Sequence, residues 1–402
     1  MGEGSGIQIK GALEFSPQLA YTLPMSPLEP LTQVPFSGSY APEDVTFLLK
    51  PLELTPTPLA EKERHIQSGT KHYSEMLSLE SAPSSAYLEL FYDALERNGE
   101  RLARDLHVLA NLIERERDGD ITLISLARGG TPIGILLRRE LERRGLGTRR
   151  RTAHFSVSII RDRGLDDRAL THLLEHGFHE KTWTFVDGWS AKGVIGRELG
   201  SSLEKFNLER GNLEHGKGAK PELFVVSDLF GGAAFSATRD DYLIPSSLLN
   251  ATVSGLISRS VLSEQIGPDD FHGCVRLEHL RAHDLSRFFV DAVWAQMGAI
   301  NPDTVAPPSA FLSAREFPAR DFLTRLAFER HLPLNHLKPG IGESTRALLR
   351  RVPESLLLRD PCNPEVAHLV HLARDKGVTL ETVPDLPCLA LALIARLEPS
   401  ES

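Results

Sequence analysis

The chain has 402 residues, of which 41% are hydrophobic and 25% charged, a composition typical of soluble globular proteins. This length exceeds one ordinary core and predicts two compact domains joined by linkers. The formal net charge of −9 argues against indiscriminate nucleic-acid binding, so any RNA contact must come from a local basic patch. No apolar run approaches the roughly 18 residues that span a bilayer, and no secretory signal is visible. We therefore expect a cytoplasmic protein without membrane contact.

The residue pattern divides the chain into four stretches. Residues 1–39 are rich in Pro, Gly and Ser and predict an irregular arm. Residues 40–300 open with a helical pattern over 60–114 and continue as alternating strands and helices. A proline-rich linker and one helix occupy 301–334, and a second alternation of strands and helices fills 335–397.

Short apolar runs alternate with helical segments in both of the larger stretches. The first stretch has predicted strands at 121–126, 154–160, 182–186 and 222–227. The second has predicted helices at 343–351, 364–376 and 387–397, and predicted strands at 355–359 and 378–383. This alternation predicts an α/β protein: a parallel sheet with helices on both faces, followed by a small C-terminal α/β domain.

The segment after the third predicted strand carries a phosphate-binding pattern. Ligands of open parallel sheets bind beyond the carboxyl ends of the strands. Small residues there allow backbone amides to surround a phosphate, and the helix predicted at 194–203 adds its dipole. A carboxylate at the strand end can hold ribose hydroxyls or, through water, Mg²⁺. The candidate residues are Asp187, Gly188, Trp189, Ser190, Ala191, Lys192 and Gly193.

Three further groups of residues follow other predicted strands, and their roles are what a resemblance of the segment around Asp187 to type I phosphoribosyltransferases implies. A glycine-rich turn after the first strand suits pyrophosphate, because an arginine can bind it bidentately and glycines permit close backbone approach. Cations after the second strand would stabilise a departing pyrophosphate. A later acidic and aromatic group would select the acceptor. In that order the candidates are Ala127, Arg128, Gly129 and Gly130; Arg161 and Arg163; and Asp240, Asp241 and Tyr242.

These motifs together resemble a known family. The strand, carboxylate and phosphate loop around Asp187 are similar to those of type I phosphoribosyltransferases, although Gly188 replaces their second acidic residue. Longer matching stretches lie at 38–40, 65–69, 72–75, 125–132, 159–164, 186–193 and 240–246. They resemble the phosphoribosyltransferase-like family of bacterial tellurite-resistance and stress gene clusters, which is also labelled StiP-type cysteine protease.

The resemblance implies a type I phosphoribosyltransferase-like sheet and a pentosyl-transferring enzyme of the stress response. Such an enzyme would bind phosphoribosyl pyrophosphate (PRPP) or a related nucleotide and transfer ribose 5-phosphate to, or remove it from, a base or amine. Asp187, Arg161 and Arg163 would be its catalytic residues. Its cofactor would be Mg²⁺ brought with PRPP, held by Asp187 through water, with no metal site made of protein ligands alone.

A basic segment near the carboxyl end predicts RNA binding. Lys338, Gly340, Gly342, Glu343, Arg346 and Arg350 surround the start of a helix, where backbone amides and cations suit an RNA backbone. The segment resembles the Pelota and kink-turn-binding ribosomal protein superfamily, with Gly342 in place of its usual asparagine. We therefore expect RNA as a partner.

Two alternative functions remain open. Gly188 in place of an acidic residue motivates a non-catalytic nucleotide sensor coupled to RNA binding. The family label motivates a cysteine protease, for which Cys274, close to His272, is the candidate, although the sequence favours a buried structural cysteine because a catalytic thiol needs a base or positive field. The chain has three cysteines without CxxC spacing, which predicts neither disulfides nor a zinc site. The sequence allows an oligomer.

Overall fold

The computed structural model of the chain describes residues 35–145, 150–211, 218–305, 318–351 and 353–395. The strands in these ranges are β1 (Thr46–Leu48), β2 (Lys50–Pro51), β3 (Ile121–Ala127), β4 (Thr152–Ile160), β5 (Gly164–Leu165), β6 (Trp183–Ser190), β7 (Leu223–Asp228), β8 (Phe235–Thr238), β9 (Gly273–Cys274), β10 (Leu337–Pro339), β11 (Pro353–Leu358), β12 (Thr379–Thr382) and β13 (Ala390–Ile394). The α-helices are α1 (Leu59–Ser68), α2 (Ser85–Glu116), α3 (Thr131–Gly145), α4 (Asp167–Glu175), α5 (Val194–Glu209), α6 (Ser286–Ala299), α7 (Pro318–Glu329), α8 (Ile341–Arg350) and α9 (Ala367–Asp375).

Two of the predicted segments lie largely outside the ranges that the structure describes. Most of the irregular arm predicted for 1–39, namely residues 1–34, lies outside the described ranges. Within the predicted linker, residues 306–317 also lie outside them.

A seven-stranded sheet forms the centre of residues 35–305, called here the N-terminal block. Its main path runs β1-β4-β3-β6-β7-β8, with every neighbouring pair parallel, and β5 joins β4 as an antiparallel partner. The predicted α/β fold with a parallel sheet is therefore confirmed.

Helices cover both faces of this sheet. Leu123 and Phe224 point towards the core that contains α2, α3 and α6. Ile124 and Val225, one position further along the same strands, point towards the core that contains α4 and α5. Successive side chains of a strand face opposite sides, so strands covered on both faces become almost wholly apolar. This arrangement explains the continuous apolar runs that marked the strands in the sequence.

The helical pattern over 60–114 corresponds to two helices. The first ends at Ser68, because Gly69 takes a left-handed conformation with φ of 70°. The second begins at Ser85, where the Ser84 hydroxyl accepts a hydrogen bond from the backbone N–H of Tyr87 at 3.2 Å. The segment between them carries side chains that reach the candidate site.

A small mixed sheet, with strand order β10-β13-β11-β12, forms the centre of residues 318–395, called here the C-terminal domain. β13 is antiparallel to both β10 and β11, whereas β12 is parallel to β11. The prediction of a helix at 387–397 is wrong, because residues 390–394 form β13, fully buried between two strands. A short apolar run fits a buried helix and a central strand equally well, so the pattern alone misled.

The C-terminal domain packs directly against the N-terminal block. Ile341 and Leu348 of α8 are fully buried and join the apolar cluster that contains α2 and α6. The Asp241 carboxylate accepts hydrogen bonds from the backbone N–H groups of Ile341 at 2.9 Å and Leu389 at 2.7 Å. This contact sets α8 beside the carboxyl ends of the central strands.

Candidate functional site between the sheet and helix α8

A cavity of about 390 Å³ lies at the carboxyl ends of β3, β4 and β6, and α8 forms its opposite wall. Basic side chains outnumber acidic ones in its lining by nine to two, and Asp187 and Glu343 are the acidic members. The basic lining residues are Lys62, Arg128, Arg161, Lys192, Arg259, Lys338, Arg346, Arg350 and Arg351. The cavity is therefore suited to an anion.

Asp187 lies inside a strand, whereas the sequence predicted it at a strand end. β6 continues to Ser190, and Asp187 pairs with Val225 of β7. The Asp187 carboxylate accepts the backbone N–H of Gly188 at 2.7 Å. Burial raises the pKa of Asp187 to about 6, although the nearby Arg346 guanidinium favours the charged form. The carboxyl group is thus poised to change charge just below neutral pH.

The loop after β6 is short and closes towards the C-terminal domain. Gly193, with φ of 67°, precedes the first residue of α5. The Lys192 ammonium donates to the carbonyls of Leu334 at 2.7 Å and Leu337 at 2.8 Å. Burial and the neighbouring Lys338 lower the pKa of Lys192 to about 8. The predicted phosphate-binding lysine therefore links the two parts of the chain.

Arg128 already has a carboxylate partner. Its guanidinium pairs with Glu80, from the segment between α1 and α2, and donates to the carbonyl of Ile257 at 2.6 Å. Burial opposes ionisation of Glu80, but Arg128 holds the pKa of Glu80 below its usual value. Gly129 next to it lies close to the Arg346 guanidinium, where a Cβ atom would come within 2.5 Å of Nη2.

The helix predicted to bind RNA faces this cavity. The Arg346 guanidinium lies over the Trp189 ring, 4.2 Å from its centroid, and pairs with Glu343 at 3.3 Å. The Arg350 guanidinium donates from Nε to Asn250 Oδ1 at 3.0 Å. Burial, followed by the charges of Arg128 and Arg346, lowers the pKa of Arg350 well below its usual value.

Close backbone approach explains two glycines at this wall. A Cβ atom on Gly342 would lie 2.5 Å from the Trp189 ring, and one on Gly340 would lie 2.5 Å from the side chain of Leu229. Gly340 also has a φ of 86°, which disfavours other residues. Lys338 lines the cavity, and burial lowers the pKa of its ammonium to about 8.

The other predicted site residues occupy different surroundings. Arg163 pairs with Glu75 at 3.3 Å on the surface, and Asp240 pairs with Arg101 at 2.5 Å. The Tyr242 hydroxyl donates to Asp105 at 2.8 Å. Asp241 joins the C-terminal domain to the N-terminal block instead of lining the cavity. The group predicted to select an acceptor is thus divided among structural contacts.

Arg161 and the remaining glycines and alanines lie at or near the cavity. Arg161 lines it and donates its backbone N–H to the Tyr73 hydroxyl at 2.9 Å, while its guanidinium pairs with Asp162 at 3.0 Å. Ala127 and Ala191 also line it. A Cβ atom on Gly130 would lie 2.7 Å from the Val186 carbonyl oxygen, so this glycine serves backbone packing.

Sequence reasoning missed Lys62 and Arg259. The Lys62 ammonium donates to Ser78 Oγ at 2.9 Å, and burial with the nearby Arg259 charge lowers the pKa of Lys62 to about 7. The Arg259 guanidinium donates to the carbonyls of Tyr73 and Met76. These residues lie far apart in sequence and belong to no motif, so only the fold could bring them together.

Comparison with known proteins decides the family. A family model described as "Tellurite-like stress resistance cysteine protease StiP" matches residues 38–294, and one described as "PELOTA RNA binding domain" matches residues 323–396. The chain is 39% identical over 375 residues to "Cysteine protease StiP" of Acinetobacter baylyi (strain ATCC 33305 / BD413 / ADP1), which covers 90% of this chain and 95% of that protein. The chain belongs to the StiP family.

Membership of the StiP family corrects the predicted activity. The expectation of a phosphoribosyltransferase, with its transferase and glycosyltransferase chemistry, is wrong, because the matching family and relative are described as cysteine proteases. The catalytic roles in pentosyl transfer that were expected for Asp187, Arg161 and Arg163 depended on that activity, so they no longer apply. The expected stress-gene family and the Pelota-type RNA-binding domain are confirmed. In the part of the chain that the structure describes, no helix is long and apolar enough to cross a bilayer.

The thiols of this StiP-family chain lie outside the cavity lining. Cys274 is fully buried in the main apolar cluster, and burial raises its pKa to about 12. Cys388 is also buried, and its pKa is raised for the same reason, whereas Cys362 is exposed. Within the described ranges, no cluster of three or more His, Cys, Asp or Glu side chains could hold a metal ion.

Cys274 nevertheless belongs to a strand whose neighbouring segment contributes to the cavity lining. Gly273, in the same strand, exchanges backbone hydrogen bonds with Val261, at 2.8 Å and 3.0 Å. The segment leading to Val261 contains Arg259 and Ser260, which line the cavity. His272, two positions before Cys274, has its ring Nδ1 2.8 Å from Ser158 Oγ and donates its backbone N–H to Asp166 at 2.6 Å.

Proposed function

We propose that the chain is a cysteine-dependent protease of stress resistance, with Cys274 as its nucleophile. The near full-length likeness to a protein named cysteine protease StiP carries this proposal. Of the three cysteines in the sequence, Cys274 alone falls within residues 38–294, the region matched by the protease family model. The other two belong to the region matched by the RNA-binding model.

The chemistry requires a conformational step before catalysis. A thiolate attacks the peptide carbonyl, an acyl-enzyme forms as the amine leaves with a proton, and water then releases the acid. Burial raises the pKa of Cys274 to about 12, so the thiol would have to leave its buried position before it could act as a nucleophile. Displacement of residues 258–261, which form backbone hydrogen bonds with residues 273 and 275, is the proposed route by which the thiol becomes exposed.

Hydrolysis of fluorescently labelled casein tests this proposal. Cys274→Ser is expected to abolish hydrolysis, because serine lacks a thiolate. Cys388→Ser is the matched control, since it alters another buried thiol by the same single atom and is expected to keep activity. Casein hydrolysis by Cys274→Ser at the wild-type rate would refute the assignment of the nucleophile.

A second proposed function is the binding of a phosphate-bearing small molecule in the cavity. The observation that favours it is the mutual repulsion of the cations that line the cavity. The pKa of Arg350 is lowered by burial and by the charges of Arg128 and Arg346, and that of Lys338 by burial and Arg351. An anion within a few ångströms of these groups would relieve this repulsion. The proposed ligand is PRPP or a related nucleotide, with Mg²⁺ carried by the phosphates and approached by Asp187 through water.

This proposal uses the resemblance of the sheet to type I phosphoribosyltransferases only for the fold and the ligand, and not for an activity. It also includes RNA binding by the C-terminal domain, for which the match to the PELOTA model is the support. Because phosphorylated metabolites and RNA occur there, the proposed location is the cytoplasm.

Calorimetric titration tests binding in the cavity. Inorganic pyrophosphate and PRPP are titrated into the full chain with Mg²⁺ present, and both are expected to bind. Lys338→Gln is expected to weaken both, because it removes one cation from the lining. Arg374→Gln, an exposed arginine of the same domain, is the control. Equal affinities in the wild type and Lys338→Gln would contradict this site.

A further inference from the structure

The side chains predicted to contact RNA are turned towards the N-terminal block. Glu343 and Arg346 have only 30% and 31% of their side-chain surface exposed, and both line the cavity. Gly342 lies against the Trp189 ring, and Arg350 is bonded to Asn250. The start of α8 is therefore covered by β6 and the loops beside it.

Charged groups at both ends of α8 hold this arrangement. Asp241 of the N-terminal block accepts from backbone N–H groups of the C-terminal domain. In the reverse direction, Glu365 of the C-terminal domain accepts from the backbone N–H of Leu243 at 2.6 Å and from Asn98 at 2.8 Å. The Arg351 guanidinium forms a bidentate pair with the buried Glu63, at 2.7 Å and 2.6 Å.

In this arrangement RNA would reach only the exposed third of the Glu343 and Arg346 side chains. Proteins recognise RNA through contacts with several nucleotides, including sugars, phosphates and splayed bases. A cavity of about 390 Å³ lined by two parts of the chain holds a small molecule rather than a folded RNA. RNA contact with the covered parts of Glu343 and Arg346 thus requires α8 to move away from Trp189.

A small anion in the cavity would have the opposite effect. It would lie between Lys338 and Arg346 of the C-terminal domain and Arg128 and Arg161 of the N-terminal block. By neutralising cations on both walls it would favour the closed arrangement. A ligand shifts a conformational equilibrium by its difference in affinity for the two states.

We infer that RNA and a phosphate-bearing cavity ligand bind this protein in competition, because RNA needs α8 separated from the N-terminal block and the anion needs it in place. The inference rests on the proposed function, in which the cavity binds phosphates and the C-terminal domain binds RNA. Linkage makes the effect reciprocal, so each ligand weakens the other by the same factor.

Fluorescence anisotropy of a fluorescein-labelled RNA hairpin with an internal loop measures this competition on the full chain. Saturating inorganic pyrophosphate is expected to raise the apparent Kd for RNA by roughly tenfold or more. Potassium chloride at equal ionic strength is the control, because salt alone also weakens RNA binding. An RNA Kd equal in pyrophosphate and in the chloride control would overturn the inference.

Variants that loosen the closed arrangement supply an independent measurement. Asp241→Asn and Glu365→Gln each weaken one part-buried set of contacts and are expected to tighten RNA binding by roughly tenfold while weakening pyrophosphate binding. Because the two positions lie on opposite sides of the interface, misfolding of one variant, seen by circular dichroism, leaves the other as the test. Glu354→Gln, at an exposed position of β11, is the control. Unchanged RNA affinity in a folded variant would also overturn the inference.

Failure of the proposed function gives a different result. If pyrophosphate does not bind the wild type, the cavity proposal fails, and the competition with it. If RNA binds neither the wild type nor the loosened variants, the RNA proposal fails. If both ligands bind and neither affects the other, both proposals stand and the competition alone is refuted.

Discussion

Replacing Asp187 with asparagine is expected to stabilise the protein at neutral pH. Burial raises the pKa of Asp187 from 3.8 to about 6, so the folded chain holds this proton more tightly than the unfolded chain. The stabilisation from that proton is complete below about pH 3.8 and is lost as the pH rises through about 6. Asparagine resembles the protonated side chain and can still accept from the backbone N–H of Gly188.

The size of the effect follows from the same pKa values. The difference between 3.8 and about 6 corresponds to roughly 3 kcal/mol, at about 1.4 kcal/mol for each pH unit. The variant is therefore expected to exceed the wild type by up to roughly 3 kcal/mol in unfolding free energy above pH 7. The advantage shrinks as the pH falls from about 6 towards about 4.

Thermal unfolding followed by circular dichroism at several pH values checks this expectation. The Tm of Asp187→Asn minus that of the wild type is expected to grow with pH and to level off near neutrality. Asp118→Asn, which changes an exposed aspartate before β3, is the control. A Tm difference for Asp187→Asn that is constant with pH, or negative at pH 7.5, would refute the assignment of a raised pKa to this carboxyl group.

Three further predictions use the same structure. Glu80→Gln leaves the nearly buried Arg128 guanidinium without its carboxylate and is expected to cost about 3 kcal/mol, seen as a lower Tm; a Tm equal to the wild type would contradict the buried pair. Burial lowers the pKa of His154 to about 4. The contribution of the neutral ring to the stability of the folded protein is therefore complete above pH 6.5 and is lost as the pH falls through about 4. The Tm of His154→Gln is expected to fall less than that of the wild type over that interval. Iodoacetamide is expected to alkylate the exposed Cys362 of the folded chain much faster than the buried Cys274, as measured by mass spectrometry, and equal rates would show that Cys274 is freely accessible.

The local residue pattern was sufficient to predict much of the central sheet. The apolar run at 121–126 corresponds to β3 within one residue, and the helix that follows it, α3, begins with Thr131 and Pro132. A strand buried on both faces and a helix beginning with proline both have strong sequence signals. Where the signal was only an apolar run, as at 387–397, length and composition did not distinguish strand from helix.

The sequence predicted part of the residues that line the cavity, but not the side-chain partners of those residues. Asp187, Arg128 and Lys192 do lie at one cavity, because the carboxyl ends of parallel strands meet at one edge of the sheet. The pairing of Arg128 with Glu80 and of Lys192 with the Leu334 carbonyl depends on contacts between segments remote in sequence. The inward direction of Arg346 had no sequence signal either, since an amphipathic helix reveals its buried face but not what covers its polar one.

The order of strands in the small sheet bears on how the cavity comes into being during synthesis. β13 lies between β10 and β11, although it follows both, and β12 as well, along the chain. During synthesis, α8 and its arginines therefore leave the ribosome before β13, the strand that lies between β10 and β11. Until β13 emerges, the small sheet next to the basic helix is unfinished, and the cavity beside the central sheet is still open on one side.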